Sequence, residues 1–321
     1  MELPAPLRQA VNEALAGVAL GDLQKASQRL TQRYRAETRD GTLHLDGEAA
    51  ALAYVTARLP ATYAAVRAAM KYVAELVPDF QPESQMDIGA GPGTAMWAAT
   101  DCWPSLLRAD MLDASPAIRA LGNRFSASMP SAEIAWHDFD ISRDHLPERK
   151  ADLITLAYVL DELATETRLR LVRDAWRQTR SLLLIVEPGT PAGWQRILIM
   201  RRLLIELGAN IVAPCPHELD CPLNAPDWCH FSRRVARSSL HRQTKNAAVP
   251  WEDEKYIYLA ASRGSPTEAA RMRVIAPPRE GSGKVALKLC CDDGEARERL
   301  VTRREGAFFK QAKRAEWGDV L

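Results

Sequence analysis

The stretch Asp87-Ile88-Gly89-Ala90-Gly91-Pro92-Gly93-Thr94 follows a short apolar run and leads into a helical pattern. Glycine permits a tight turn and lets a ligand approach the backbone, and a helix N-terminus offers free N–H groups. In a doubly wound sheet this is where ligands bind, at the carboxyl ends of the strands. A glycine-rich loop alone is weak evidence, so its meaning rests on what surrounds it.

Short apolar runs at residues 86–88, 106–112, 133–136, 153–157 and 182–186 alternate with helical stretches such as 165–177. That alternation predicts a parallel sheet with helices on both faces. Asp113, twenty residues beyond Gly93, ends the second run and is placed to accept hydrogen bonds from ribose hydroxyls. His137-Asp138-Phe139-Asp140 closes the third, where Asp138 would meet an adenine amino group and Phe139 flank the ring. Asp87 just ahead of the glycines, with the acidic ending of strand three, favours S-adenosylmethionine over a dinucleotide. The expected fold is α/β, a class I, S-adenosylmethionine-dependent methyltransferase; a loop that binds nothing is the competing reading. Asp87, Gly89, Gly91, Gly93, Asp113, Asp138 and Phe139 are the candidate cofactor residues.

After the fourth run, residues 152–163 occupy the place of a substrate-facing motif, yet no Asn/Asp-Pro-Pro-aromatic tetrad appears there. Asp161 and Glu162 either face the cleft or cap the next helix, and the cap is the favoured reading. Glu187-Pro188-Gly189-Thr190-Pro191 reads as a rim turn, and no catalytic base stands out.

Outward from this core, residues 1–82 read as helices, with Leu7, Val11, Leu15 and Val18, then Leu23, Leu30 and Tyr34, at helical spacing. A turn is expected near Asp40-Gly41. A longer pattern over 48–77 is interrupted at Pro60, and Pro78 and Pro82 close the region. The core is expected over 83–208, ending in a helix at 193–207. A Cys-rich insertion is expected over 209–250, with a loop at 214–230. A last core strand (255–261) and a small β extension (271–275, 285–289, 300–303) with a basic helix (305–316) complete 251–321.

Of six cysteines, Cys215, Cys221 and Cys229 lie within fifteen residues. Reduced cytosolic thiols in a cluster read first as a metal site or as catalytic. Gaps this wide lack the tight C-x₂₋₄-C pair of most zinc sites and suit an iron–sulfur cluster better. A fourth thiolate would come from Cys290 or Cys291; His217 and His230 would substitute were the metal zinc.

The chain carries 23 Lys/Arg against 29 Asp/Glu over residues 1–228, and 19 against 12 over 229–321. The basic C-terminal third either faces a polyanion or is an unevenly charged solvated surface. No apolar run is long enough to span a bilayer, and the start lacks a signal or transit pattern, so a cytoplasmic protein is expected.

Five segments together resemble one family: residues 54–70 (YVTARLPATYAAVRAAM), 86–97 (MDIGAGPGTAMW), 215–233 (CPHELDCPLNAPDWCHFSR), 252–259 (EDEKYIYL) and 317–319 (WGD). It is the family of the mitochondrial small-ribosomal-subunit protein Rsm-twenty-two, called methyltransferase-like protein seventeen in animals, with bacterial relatives. The resemblance implies a bacterial member that binds the small ribosomal subunit and its rRNA and supports its assembly. It also implies a 4Fe-4S cluster on Cys215, Cys221 and Cys229 and a cysteine in residues 289–294 (LCCDDG), where spacing favours Cys290. Two functions follow as expectations: an assembly protein that binds S-adenosylmethionine and RNA, or an active rRNA methyltransferase. Arg233, Arg234, Arg237, Arg242, Lys245, Lys310, Lys313 and Arg314 are the candidate RNA contacts, on a protein expected to be monomeric.

Overall fold

Pro60 decides how the N-terminal helices divide. Its ring clashes with a carbonyl one turn back and it has no N–H to donate. Helix α3 (Glu48–Ala57) therefore stops, and α4 (Leu59–Leu76) begins with Pro60 in its first turn, where no N–H is needed. The computed structural model describes residues 1–35, 45, 47–129, 133–245, 247–264 and 271–321. The turn expected near Asp40-Gly41 and the side chain of Tyr34 lie outside the described residues. Before α3 come α1 (Ala5–Leu15) and α2 (Leu20–Arg35), as the spacing predicts.

The core sheet comprises β1 (Ser84–Ile88), β2 (Arg108–Asp113), β3 (Glu133–Asp138), β4 (Ala151–Ala157) and β5 (Thr179–Pro188), with β6 (Asn210–Ala213), β7 (Phe231–Ala236) and β8 (Trp251–Ser262). Helices α5 (Thr94–Cys102), α6 (Pro116–Ser126), α7 (Thr165–Gln178) and α8 (Pro191–Glu206) connect the strands, and α9 (Ser239–Lys245) lies between β7 and β8. The order is β3-β2-β1-β4-β5-β8-β6, with β1 to β5 parallel. β8 runs antiparallel between β5 and β6. This is the strand order of the class I methyltransferase fold, and the chain reverses on either side of β1, at the β1/β4 boundary, where ligands bind in such sheets.

All five core strands expected from the apolar runs are present, some longer than their runs. The region 214–230 is free of helix and strand. The rest of the expected insertion is not separate from the core: β6 and β7 both pair with β8. Tyr256 pairs with Pro188 on one side and Phe231 on the other, so β7 lies on the edge of β8 away from β5.

The C-terminal extension is a second, antiparallel sheet of β9 (Met272–Val274), β10 (Arg279–Gly281), β11 (Lys284–Cys291) and β12 (Ala296–Thr302), packed by α10 (Ala307–Arg314). Arg273, fully buried, joins it to the core. Its guanidinium donates to the carbonyls of Pro214 (2.9 Å) and Gly318 (2.8 Å) and lies 5.4 Å from the Tyr72 ring centre. Gly318 sits at φ +104°, and a Cβ there would stand 2.3 Å from the Tyr72 hydroxyl. No helix among the described residues is long and apolar enough to cross a membrane.

Candidate functional site

The glycine loop leaves β1 and is held from the end of β2. The Asp113 carboxylate accepts from the N–H of Gly91 (2.8 Å) and of Ser115 (2.9 Å). Gly91 lies at φ +54° with nothing within 4 Å of where a Cβ would stand, so it opens onto the cleft. Gly89 and Gly91 line that cleft with Asp113 and Phe139. Gly93 shapes the turn as the N-cap of α5, at φ +83°.

Asp87 lies beneath the loop. It is buried, and its carboxylate accepts from the Thr155 hydroxyl (2.6 Å), which in turn accepts from the Gln85 amide (3.0 Å). Burial pushes its carboxyl up to about 7. Asp138 does not line the cleft: its side chain is 77% exposed and pairs with Arg119 at 2.8 Å. The acid of that segment that does line the cleft is Asp140.

Asp161 and Glu162 are not helix caps. Helix α7 starts at Thr165 behind Ala164, without a side-chain cap, because a 3-10 turn over Leu160–Glu162 intervenes. That turn delivers both acids to the cleft wall. Glu187, at the end of β5, stands behind them. It receives Arg196 Nε (2.7 Å) and the Leu160 N–H (3.1 Å) in a buried ion pair. Burial and the neighbouring Asp161, Asp113 and Glu187 push the Glu162 carboxyl up to about 8. Burial and Asp161 raise Glu187 as well, against the pull of Arg196.

Two polar residues of the cleft carried no sequence signal. Tyr158 directly follows β4 at φ +59°, and its hydroxyl donates to Glu254 of β8 (3.0 Å). Arg58 reaches the same Glu254 oxygen at 3.5 Å.

The cysteines sort by strand geometry. Successive residues of a strand face opposite sides. Cys290 therefore joins Cys215, Cys221, Cys229 and His217 around one small cavity, whereas Cys291 packs with Val274 and Leu289 in the core of the C-terminal sheet. Cys290 Sγ lies 3.5 Å from His217 Nε2. Burial raises the Cys215 thiol, drives Cys229 well up and takes Cys290 to about 12. Among the described residues no group of three or more His, Cys, Asp or Glu is arranged to hold a metal ion. His230, the other expected substitute ligand, stacks on Trp228 and is not part of the cavity.

The candidate RNA contacts divide in two. Arg237 (2.9 Å) and Lys245 (3.2 Å) are both paired with Glu252. Arg234 pairs with Asp253 at 2.9 Å, and Arg233 with Glu316 at 3.5 Å. Lys310, Lys313 and Arg314 of α10 are exposed and have no ion-pair partner among the described residues. The charge excess of the C-terminal third is therefore less available at β7 and α9 than at α10, because β7–β8 pairing sets acids against those arginines.

The raised carboxyls set a pH dependence. Folded, ligand-free protein keeps protons on Glu162 to about 8 and on Asp87 to about 7, which the unfolded chain releases near 4. Their contribution to stability is complete below the unfolded values and is lost as pH rises through 7 to 8. The melting temperature should fall between about pH 5.5 and 8.5 and fall less in Glu162→Gln, with the range following from the reference and raised values. A wild-type curve that climbs over that range, or an unchanged slope in the variant, would exclude this account.

Residues 48–321 match the family described as mitochondrial small ribosomal subunit Rsm22. The chain is 31% identical over 291 residues to the human mitochondrial ribosome assembly protein METTL17, covering 85% of this chain and 63% of that one. It is 23% identical over 326 residues to the mitochondrial Rsm22-cox11 tandem protein 2 of Schizosaccharomyces pombe, covering 84% and 43%. The chain thus spans less than two thirds of the length of these curated relatives. Among solved structures, the magnesium protoporphyrin IX methyltransferase of Synechocystis PCC 6803 with bound SAM is similar over 78% of this chain and 100% of that one, at 12% identity and a TM-score of 0.41. The chain belongs to the mitochondrial small ribosomal subunit Rsm22 family.

Proposed function

We propose that this protein is a methyltransferase-like factor that binds S-adenosylmethionine and small-subunit rRNA in support of ribosome assembly. The observation that carries it is the open glycine loop, tied to Asp113, at the switch point of the sheet. Gly89, Gly91, Asp113 and Phe139 would hold the cofactor's nucleoside. Asp161 and Glu162 would face its positive charge, since a buried acid among other acids, as Glu162 is, stays protonated until a cation arrives. The family name and that of the human relative support the ribosomal half of the reading. An active rRNA methyltransferase is the second reading, favoured by the Tyr158–Glu254 pair in the same cleft.

The thiol cavity fits an iron–sulfur cluster in its donors. Four thiols line it, and the buried Arg273 Nη2 on its wall lacks a hydrogen-bond partner among the described residues. An unpartnered buried donor is costly and would suit an anionic, thiolate-bound group. Cys215, Cys221, Cys229 and Cys290 would be the ligands; a four-iron cluster would supply a rigid cross-link between the loop and β11. Zinc is the alternative, with His217 on the same cavity wall able to take the place of one thiolate.

Three outcomes are expected. In calorimetry S-adenosylmethionine and its demethylated product should bind, and Gly91→Arg, which fills the open side of the loop, should abolish both. The sulfonium form should gain on the neutral product as pH rises and Glu162 ionises; a well-folded wild type giving no heat would end the cofactor reading. Anaerobically purified protein should carry iron and acid-labile sulfide, lost in Cys290→Ser and retained in Cys291→Ser. Equal retention in both, or zinc alone, would refute the ligand assignment. Binding to small-subunit RNA should weaken with salt, and removing Lys310, Lys313 and Arg314 together should lower the log–log slope by about 0.7–0.9 for each phosphate they neutralise. Arg237→Ala should lower that slope less than loss of an α10 cation, since Arg237 shares Glu252 with Lys245 and is only partly available. The reverse ranking would place the RNA on β7 and α9.

A further inference from the structure

The wall of the thiol cavity holds two arginines as well as the cysteines. Arg201 of α8 and Arg273 of β9 both line it, at 5% and 1% exposure. Neither has an acid to answer its charge. Arg201 donates to the His217 carbonyl (2.6 Å), and Arg273 to the carbonyls of Pro214 and Gly318. Among the described residues neither guanidinium takes part in an ion pair. Arg196, five residues earlier on α8 and equally buried, shows the ordinary solution, since it pairs with the Glu187 carboxylate at 2.7 Å.

Carbonyls accept the hydrogen bonds of a guanidinium but supply only partial charge. A buried cation is costly unless an anion faces it. Ile197, Leu198, Leu223, Ile257 and Ile275 make much of this wall apolar, which strengthens any charge interaction across it. Arg273 Nη2 and, on the same wall, Trp194 Nε1 have no hydrogen-bond partner among the described residues.

The residues that face these cations are the cysteines. Arg201 is hydrogen-bonded to Cys215 and acts electrostatically on Cys290, while Arg273 acts on Cys215 and Cys229. Four thiols, or two disulfides, are neutral and leave both guanidiniums unanswered. Four thiolates outweigh the positive charge of a four-iron core or of a zinc ion, so either group is an anion. We propose that Arg201 and Arg273 are the counter-charges of a metal–thiolate group on Cys215, Cys221, Cys229 and Cys290, positioning residues that select a net-negative occupant. This rests on the thiol-cavity reading given above and adds what holds the group besides its ligands. The two arginines reach the cavity from outside the cysteine loop, one on a core helix and one on a strand of the C-terminal sheet. Their attraction to one anion would draw loop, helix and sheet together.

The test compares the full chain with Arg201→Gln and Arg273→Gln, and with the charge-keeping Arg201→Lys and Arg273→Lys. Each is purified anaerobically, and a portion of each is stripped of metal. The readouts are the gain in melting temperature on loading with iron and sulfide, the iron kept against a chelator, and the midpoint potential of the loaded protein. In either glutamine variant the melting gain should shrink. The chelator should remove iron on the order of tenfold more readily, the scale of losing a partner of a metal ligand. Removing a positive charge disfavours the more negative, reduced form, so the potential should fall; a tenfold change is about 59 mV for one electron. The lysine variants should recover most of each effect. A purely structural role predicts otherwise, since glutamine would then lower the melting of stripped and loaded protein alike and leave the gain and the potential unmoved. That result in an iron-holding wild type would overturn the counter-charges and leave the ligand assignment standing. Lysine variants that recover nothing would overturn them too, because lysine keeps the charge and gives up only the guanidinium geometry. If the wild type takes zinc but no iron, the cluster is refuted and the zinc-induced melting gain judges the arginines by the same comparison. A wild type that takes neither metal overturns the cavity reading and the counter-charges together.

Discussion

The placement of β8 is the constraint on which the rest of the structure depends. An antiparallel strand inserted between β5 and β6 is paired on both edges, and its first half alternates, with Glu252 and Glu254 more covered than Trp251, Asp253 and Lys255. Slipping by one residue would turn every side chain to the other face. That register sets Glu252 against Arg237 and Lys245, and Glu254 against Tyr158 and Arg58. The same strand carries Tyr258, which stacks with Tyr72 of α4 at 6.2 Å. Cleft, helical region and sheet edge are positioned by one pairing.

Helix α8 joins the cleft to the thiol cavity. Arg196 holds Glu187 behind the cleft acids, and five residues on, Arg201 donates to the His217 carbonyl at 2.6 Å. At about 1.5 Å per residue the two guanidinium-bearing positions are some 7.5 Å apart along the axis. Trp194, on the same helix, lines the thiol cavity, and Trp228, next to Cys229, donates to the carbonyl of Gly189 on the cleft rim (3.0 Å). Rearrangement of the cysteine loop would therefore bear on the rim through short, direct contacts.

Much of the fold was readable from the residues because the core strands are continuous apolar runs and the loop glycines have a conformational purpose. β6 and β7 were not. Phe231 and Val235 are four apart, a helical spacing, and only pairing with β8 makes that segment extended. The cysteine doublet became readable once β11 was known as a strand, since alternation separates Cys290 from Cys291. Asp161 and Glu162 misled because acids ahead of a helix ordinarily cap it, whereas here a 3-10 turn places them three and two residues ahead of the N-cap position, Ala164. Asp138 and Asp140 were not separable in the sequence, since residues two apart share a face of a strand; β3 ends at Asp138, which pairs with Arg119, and the chain beyond it brings Asp140 to the cleft. Arg237 and Lys245 looked available because their partner, Glu252, is distant in the pattern and adjacent only through the sheet.

The alternation of β11 also carries a physical consequence beyond ligand choice. One face of the strand presents Cys290 to the cavity shared with Cys221 and Cys229; the other buries Val285, Leu287, Leu289 and Cys291 against α10 through Ala312, Phe308 and Phe309. A strand fixed on one face cannot shift on the other without breaking its pairing with β12 and β9. Whatever closes the thiol cavity therefore also fixes the strand on which the exposed cations of α10 rest. Arg273 reinforces the link, since its guanidinium bridges the Pro214 carbonyl, beside Cys215, to the Gly318 carbonyl after α10. The basic helix is held to the cysteine loop by a buried guanidinium and a two-faced strand, so its charges keep a fixed position relative to the cleft only while that junction stays closed.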